Sequence, residues 1–159
     1  MIIKGLLDED FVNYKTPCMY ICTAKCSFKC DIENQKECCQ NSVLAFSGEI
    51  TIDDDKIIQR YLSNDITNAI CFSGLEPFDQ FDELRQFIDK LRNEYKANDT
   101  VIIYSGYNED EISEYISQLK KYSNIIVKFG RYIPDEYPHI DNVLGVKLAS
   151  NNQYAIKIS

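Results

Sequence analysis

Short apolar runs alternate with helical segments along the second half of the chain, and this alternation constrains the fold more than any other feature. Three runs are continuous and rich in β-branched or aromatic residues, namely 69–72, 101–104 and 125–128. Such runs are typical of strands buried on both faces of a parallel sheet. Because each pair of runs encloses one helical segment, the sequence predicts parallel strands joined by right-handed crossovers.

Three segments carry their apolar residues on one helical face and are predicted to be helices. Their apolar positions are Ile57, Ile58, Tyr61 and Leu62, then Phe81, Leu84, Phe87, Ile88 and Leu91, then Ile112, Tyr115, Ile116 and Leu119. Asn108 is a favourable N-cap for the third helix. The segment 18–23 predicts an earlier strand, and the alternating segment 154–158 predicts an edge strand near the end of the chain.

These elements predict an α/β fold. A complete eight-unit barrel needs at least about 200 residues, and the chain has 159. We therefore expect an open, partial (β/α) barrel with a mainly parallel sheet. No linker or low-complexity tract divides the chain, so residues 1–159 are expected to form a single domain.

Three loops are predicted to meet at the carboxyl edge of this sheet, where open α/β sheets place their active sites. They are a cysteine-rich loop of about residues 24–42, the segment 73–77 and the segment 105–107. Their convergence predicts a functional site built mainly from loop residues.

Composition excludes several classes of function. The chain has 17 basic and 25 acidic residues, a net charge of −8, and no basic stripe for phosphates, so a nucleic-acid partner is not expected. No apolar stretch approaches the roughly 20 residues that span a bilayer, so membrane insertion is not expected either. The first residues lack the pattern of a secretory signal peptide, which favours a cytoplasmic location.

Six of the seven cysteines lie between residues 18 and 39. In a reducing compartment, clustered cysteines bind metal or perform redox chemistry more often than they form disulfides. Three thiolates leave one iron of a [4Fe-4S] cluster free to bind a small molecule, whereas four close the cluster, as in an electron carrier. Cys26 and Cys30, with Cys38 or Cys39, therefore predict an iron–sulfur site. Cys18 and Cys71 are expected to be buried apolar residues.

Two other ligand sets are compatible with the same cysteines. Cys22, Cys26 and Cys30 are separated by two equal gaps and could hold the cluster instead. Structural zinc prefers four ligands, which this trio and Cys39 could supply. The single histidine, His139, lies in a segment without periodicity and is expected to be a surface residue.

Four segments resemble, in the same order, those of a known enzyme group. They are Asp10-Phe11-Val12-Asn13, Ser73-Gly74-Leu75-Glu76-Pro77, Ser105-Gly106-Tyr107 and Ala149-Ser150-Asn151-Asn152-Gln153. On these residues the chain resembles the radical S-adenosylmethionine (SAM) enzymes, and within them the activating proteins of anaerobic ribonucleotide reductases. The resemblance extends over most of the chain, and four ordered matches are more specific than any one alone.

The resemblance implies a fold of the radical SAM type and a [4Fe-4S] cluster held by Cys26, Cys30 and Cys39. Cys39 is favoured over Cys38 because residues 39–41 are similar to the Cys-x-Asn that begins at the third ligand in relatives. Residues 31–37 then look like an insertion inside the cluster loop.

The resemblance also implies a SAM site, in which the amino and carboxylate groups of SAM chelate the fourth iron. The implied cofactor-binding residues are Phe28, Asn41, Ser73, Gly74, Leu75, Glu76, Ser105 and Gly106. The segment 73–76 would face the amino group of SAM, and Phe28 would be a wall for the cluster or the adenine. Leu75 replaces a glycine of the relatives, and a positive φ there would cost leucine about 1 kcal/mol or more.

The implied function is reductive cleavage of SAM to a 5′-deoxyadenosyl radical, which would generate a glycyl radical on a partner enzyme. The implied partner is an anaerobic ribonucleotide reductase, and the implied reductant is a flavodoxin or a ferredoxin. The Gly-Pro-Gly of relatives is absent, and residues 128–130 replace their Asp-Gly. A radical SAM enzyme with another protein or peptide target therefore stays open, as does a non-catalytic iron–sulfur or zinc-binding module.

Overall fold

The computed structural model describes all 159 residues. The strands are β1 (Ile2–Asp10), β2 (Cys18–Thr23), β3 (Ile50–Thr51), β4 (Ala69–Gly74), β5 (Thr100–Tyr104), β6 (Ile125–Phe129), β7 (His139–Ile140), β8 (Lys147–Leu148) and β9 (Tyr154–Lys157). The α-helices are α1 (Lys29–Asn34), α2 (Ser42–Ala45), α3 (Asp54–Leu62), α4 (Phe81–Asn93) and α5 (Ser113–Leu119). Short 3₁₀ turns, Pro77–Gln80 and Glu109–Ile112, lead directly into α4 and α5.

Seven strands form one open sheet in the order β3-β1-β2-β4-β5-β6-β9. At its centre β2, β4, β5 and β6 run parallel to one another. At the sides β1 pairs antiparallel with β2, β3 with β1, and β9 with β6. The α/β fold with a mostly parallel sheet is therefore confirmed, and β9 is the edge strand predicted near the end of the chain. β7 and β8 form a separate two-stranded ribbon.

The three predicted helices are present as α3, α4 and α5, and local sequence explains where they begin. The Asp53 side chain accepts the backbone N–H of Asp55 at 2.9 Å and caps α3. Asn108 and Glu111 form a capping box at the turn that leads into α5, as the N-cap prediction required. No helix is both long enough and apolar enough to cross a membrane.

The sheet is covered by helices on one face and by loops and the ribbon on the other. The alternation of side chains along each strand assigns neighbouring residues to opposite faces. In β4, Ile70 and Phe72 belong to the core beneath the helices, which also contains Tyr61, Phe87 and Leu119. On the opposite face the core consists of Tyr14, Cys18, Ala69, Cys71, Ile102, Ile126, Leu144, Leu148 and Ala155. Cys18 and Cys71 are fully buried there, as predicted.

One strand was not predicted. β1 pairs antiparallel with β2, with Leu6 beside Ile21, and Ile3 is buried in the main core. Its sequence ends in three consecutive acidic residues, 8–10, and it contains a glycine. Neither a continuous apolar run nor a clean alternation marks it, so tertiary pairing rather than local pattern makes it a strand.

Candidate functional site

A cavity of about 350 Å³ opens at the carboxyl ends of the central strands. Segment 73–76, which spans the end of β4 and the loop that follows, and residues 105–107, which follow β5, contribute to its wall, as does the cysteine loop after β2. Its size falls within the range of small-molecule and cofactor sites. The three loops therefore meet at the edge of the sheet where the sequence predicted a site.

The cavity brings together most of the residues that the sequence singled out. They are Cys26, Cys30, Cys39, Asn41, Ser73, Gly74, Leu75, Glu76, Ser105 and Gly106. Phe28, Cys22 and Cys38 are not among the lining residues. The backbone N–H of Phe28 donates to Cys26 Sγ at 3.3 Å, and Phe28 has a left-handed φ of 53°.

The environment of the thiols opposes their ionisation. Burial raises the pKa of Cys26 to about 11, and the nearby Cys39 adds to the rise. Burial likewise raises the pKa of Cys30 to about 12, with Cys39 again a contributor. Because burial and a neighbouring thiol both disfavour the thiolate forms of Cys26 and Cys30, these two residues need a cation nearby before they ionise. A metal centre supplies that charge, so this donor set fits a thiolate-ligated cluster.

The four-cysteine zinc set is not gathered in this cavity. Cys22 belongs to β2 and does not line the cavity. Its Sγ lies beside Gly5 of β1, 3.7 Å from where a Cβ on that glycine would be. The group whose ligand atoms all lie within 4.8 Å of one another is Cys30, Asp31 and Cys38. That group would take a single ion, and it shares Cys30 with the cavity.

Glu76 is the buried acidic residue of the site. Its carboxylate accepts hydrogen bonds from Phe78 N–H at 3.1 Å, from the Ser105 hydroxyl at 3.0 Å and from Gly106 N–H at 2.7 Å. Burial nevertheless raises the pKa of Glu76 to about 7, and these hydrogen bonds oppose the rise. Glu76 therefore joins the loops after β4 and β5 and holds a partial negative charge in the cavity wall at neutral pH.

Lys128 is a buried base in the same wall that the sequence analysis treated only as a departure from relatives. Its Nζ donates to the carbonyl oxygens of Gly130 at 2.7 Å and Ser105 at 3.2 Å. Burial lowers the pKa of Lys128 to about 7. A lysine inside a continuous apolar strand was the available signal, because such a residue must find partners when it is buried.

The loop after β4 does not need a glycine at position 75. The left-handed residue is Gly74, with φ of 85°, whereas Leu75 is outside that region and is buried. A Cβ on Gly74 would lie 3.0 Å from both Cα and Cβ of Cys22. The strain considered for Leu75 therefore does not arise, and the conformational requirement belongs to Gly74.

A charged network anchors the cysteine loop to the rest of the domain. Both terminal nitrogens of Arg131 donate to the Glu111 carboxylate, and Lys29 Nζ donates to it at 3.1 Å. The pKa of Glu111 falls to about 2 because of the Arg131 hydrogen bond. Lys29 lies between Cys26 and Cys30 in sequence, so the network fixes that part of the loop. Sequence reasoning missed these residues, since nothing in their spacing links them.

Comparisons with known proteins agree with the chemistry of the cavity. A family model described as a 4Fe-4S single cluster domain matches residues 17–154. Neither the curated proteins nor the solved structures contain a match to the chain. The matched region includes all the cysteines and exceeds half of the 159 residues, so the chain belongs to the family of 4Fe-4S single cluster domains.

Proposed function

We propose that this protein is a radical SAM enzyme that generates a glycyl radical on a partner protein. The observation that carries the proposal is the single cavity shared by Cys26, Cys30 and Cys39 with the loops that follow β4 and β5. A cluster held by three cysteines leaves one iron for a small-molecule ligand. The loops after β4 and β5, which line the same cavity, would then bind and orient that ligand.

Cys26, Cys30 and Cys39 would hold the cluster. The backbone N–H of Phe28 supports this role, because it already points at Cys26 Sγ and hydrogen bonds to ligand sulfur stabilise its negative charge. When bound, the cluster and SAM together supply an electron and a sulfonium that fragments to a carbon radical. The protein's own part is to bind, orient and exclude water.

Glu76 and its neighbours would bind SAM. A carboxylate offers about four acceptor sites, and three hydrogen bonds from Phe78, Ser105 and Gly106 use most of them. The remaining capacity suits one more donor, such as the ammonium group of SAM. Four further residues line the same cavity, namely Asn41, Ser73, Gly74 and Leu75. The proposal includes an open, partial barrel, whose strand ends would hold these residues around SAM.

A protein substrate suits the surface beside the cavity. Val43 in α2 and Phe46 just after it, which directly follow the cysteine loop, are 86% and 87% exposed. Exposed apolar side chains close to a site favour contact with another protein. On the resemblance of the four motifs, we propose an anaerobic ribonucleotide reductase as the partner, and a flavodoxin or ferredoxin of the cytoplasm as the reductant.

The test is anaerobic iron–sulfur reconstitution, reduction with dithionite, and electron paramagnetic resonance (EPR) with and without SAM. We expect a reduced-cluster signal that changes on addition of SAM, with 5′-deoxyadenosine formed in the same sample. Cys26→Ser should abolish both signals, whereas Cys22→Ser should keep them, because Cys22 is not on the cavity. A cluster that ignores SAM would instead support a non-catalytic iron–sulfur module.

The partner is tested separately. Activated protein is mixed with an anaerobic ribonucleotide reductase, and EPR is used to look for a glycine-centred doublet on the reductase. Absence of the doublet, with SAM cleavage intact, would direct the search to another protein or peptide target. The absence of the Gly-Pro-Gly of relatives, and residues 128–130 in place of their Asp-Gly, are the observations that favour this second target class.

A further inference from the structure

The segment between Cys30 and Cys39 is closed on itself by one carboxylate. Asp31 Oδ1 accepts the backbone N–H of Cys38 at 2.8 Å and that of Cys39 at 2.7 Å. The backbone carbonyl of Asp31 also accepts the N–H of Lys36 at 3.2 Å. These hydrogen bonds join the first residue of segment 31–37 to its far end.

Other tertiary contacts of this segment lie in its middle and do not hold Cys38 or Cys39: Arg131 Nε lies 3.2 Å from Glu33 Oε1, and the Asn34 amide donates to the Tyr132 carbonyl at 3.4 Å. α1, which contains Cys30 and Asp31, buries none of its residues in the core. The Asn34 amide donates to the Cys30 carbonyl at 2.8 Å, which steadies the helix but does not reach Cys39. Cys38 Sγ adds one contact of 3.3 Å to the same carbonyl. The position of Cys39 relative to Cys30 therefore depends mainly on Asp31.

Such a closure is needed because eight residues separate Cys30 from Cys39. Bringing together the ends of a flexible loop has an entropic cost that grows with its length. Two hydrogen bonds to a carboxylate are stronger than neutral ones and hold the loop closed before any metal binds. The Asp31 carboxylate thus keeps Cys39 close to Cys30 in this long loop, as a short spacing between cysteines would in a compact loop.

We propose that Asp31 is a positioning residue that places the Cys39 thiol, and not that of Cys38, in the cavity with Cys26 and Cys30. The inference rests on the proposed ligation of the cluster by these three cysteines. Among the lining residues Cys39 is present and its neighbour Cys38 is absent, although the ligand atoms of Cys30, Asp31 and Cys38 lie within 4.8 Å of one another.

Asp31 has a second consequence, through its charge. Its Oδ1 lies 3.7 Å from Cys30 Sγ. A negative charge beside a ligand sulfur disfavours the addition of an electron to the cluster, because reduction potentials depend on net charge near the sulfurs. Removing that charge while keeping the hydrogen-bond acceptor should therefore raise the potential.

The test compares Asp31→Ala and Asp31→Asn with the wild type, and uses Glu37→Ala as a matched control. Glu37 is exposed and lies in the same segment. In the metal-free protein, amide hydrogen exchange at Cys38 and Cys39 should be slow in the wild type, in Glu37→Ala and in Asp31→Asn. It should be fast in Asp31→Ala. Because α1 is not part of the core, circular dichroism should show that all variants fold.

The cluster gives the second readout. After reconstitution, a chelator should strip iron from Asp31→Ala roughly 10- to 100-fold faster than from the wild type, the usual effect of losing a residue that orients ligands. Asp31→Asn should retain iron as the wild type does, and its midpoint potential should be higher. A purely structural residue would not shift the potential of a variant that keeps its cluster.

Several outcomes would overturn the inference. Equal amide exchange in Asp31→Ala and the wild type would mean that the carboxylate does not close the loop. Equal iron retention in those two proteins would mean that closure does not position Cys39. Loss of the cluster in Asp31→Asn would implicate charge instead of hydrogen bonding. A wild type that takes up no iron would contradict the proposed function, while the exchange measurement would still decide the role of Asp31.

Discussion

The carboxylate of Glu76 accepts the backbone N–H of Gly106 at 2.7 Å and so joins the loops that follow two neighbouring strands. It does so in a buried position, where burial raises the pKa of Glu76 to about 7. The hydrogen bonds and the burial act in opposite directions on the charged form. The site therefore keeps a carboxyl group close to its point of titration at neutral pH.

This arrangement predicts a pH-dependent stability. The pKa of Glu76 is raised from 4.5 to about 7 on folding, so its protonated form stabilises the native state below 4.5. That contribution is lost as the pH rises through about 7, and the shift corresponds to roughly 3 kcal/mol.

Because burial also lowers the pKa of Lys128 to about 7, which acts with the opposite sign over the same pH range, the contribution of Glu76 is the difference between Glu76→Gln and the wild type. It is measured by urea unfolding of the metal-free proteins at about pH 5 and about pH 8. In Glu76→Gln the decline should be smaller by that amount, because the amide does not titrate. The same pH dependence in Glu76→Gln and the wild type would show that other groups cause it.

Two glycines of the cavity wall should respond differently to alanine. Gly74 has φ of 85°, and a Cβ there would lie 3.0 Å from the Cys22 backbone. Gly74→Ala should destabilise the fold by about 1–3 kcal/mol, since it combines backbone strain with overpacking. The nearest atom to a Cβ on Gly106 is Glu76 Oε2 at an ordinary 3.5 Å. The free energy of unfolding of Gly106→Ala should therefore lie within about 0.5 kcal/mol of the wild-type value. Thermal or urea unfolding that shows the same loss of stability in both alanine variants would contradict this account.

The ion pair of Glu111 with Arg131 predicts that the domain loses some stability at acidic pH. The pKa of Glu111 falls from 4.5 to about 2 on folding, mainly through the Arg131 hydrogen bond. Its contribution to stability is present above 4.5 and is lost as the pH falls towards about 2. Because the Glu111 side chain is 25% exposed, we expect only about 1 kcal/mol after screening.

Glu111→Gln, with the exposed Glu114→Gln as its control, separates this effect from general acid denaturation. Urea unfolding at neutral pH should show a loss in Glu111→Gln alone, and the loss should shrink at about pH 3. A loss that is equal at both pH values would indicate packing rather than ionisation.

The central fold could be predicted because local pattern and tertiary role agree there. β4, β5 and β6 are buried on both faces and therefore read as continuous apolar runs. The rule that sites form at the carboxyl edge of parallel strands then located the loops around Glu76 and Ser105. β1 could not be predicted in this way, since Gly5 and residues 8–10 break its pattern and its pairing with β2 is non-local.

The details of the site depended on contacts that sequence spacing does not encode. Lys29, Glu111 and Arg131 meet only because the cysteine loop, the turn before α5 and the end of β6 converge. The left-handed φ at Gly74 and the close approach of Cys22 to that residue likewise could not be read from the sequence, which had directed attention to Leu75. Such constraints arise from packing between elements and cannot be predicted from the local propensities of the residues.

Neighbouring cysteines provide the sharpest test of the ligand set. Cys39 lines the cavity and Cys38 does not, although one peptide bond separates them. Cys39→Ser should therefore lose most of its iron and sulfide after anaerobic reconstitution, because two thiolates do not hold a cubane cluster firmly. Cys38→Ser should keep the iron content and the SAM-dependent EPR change of the wild type. The reverse result would make Cys38 the third ligand and would require the loop after Asp31 to rearrange when the cluster binds.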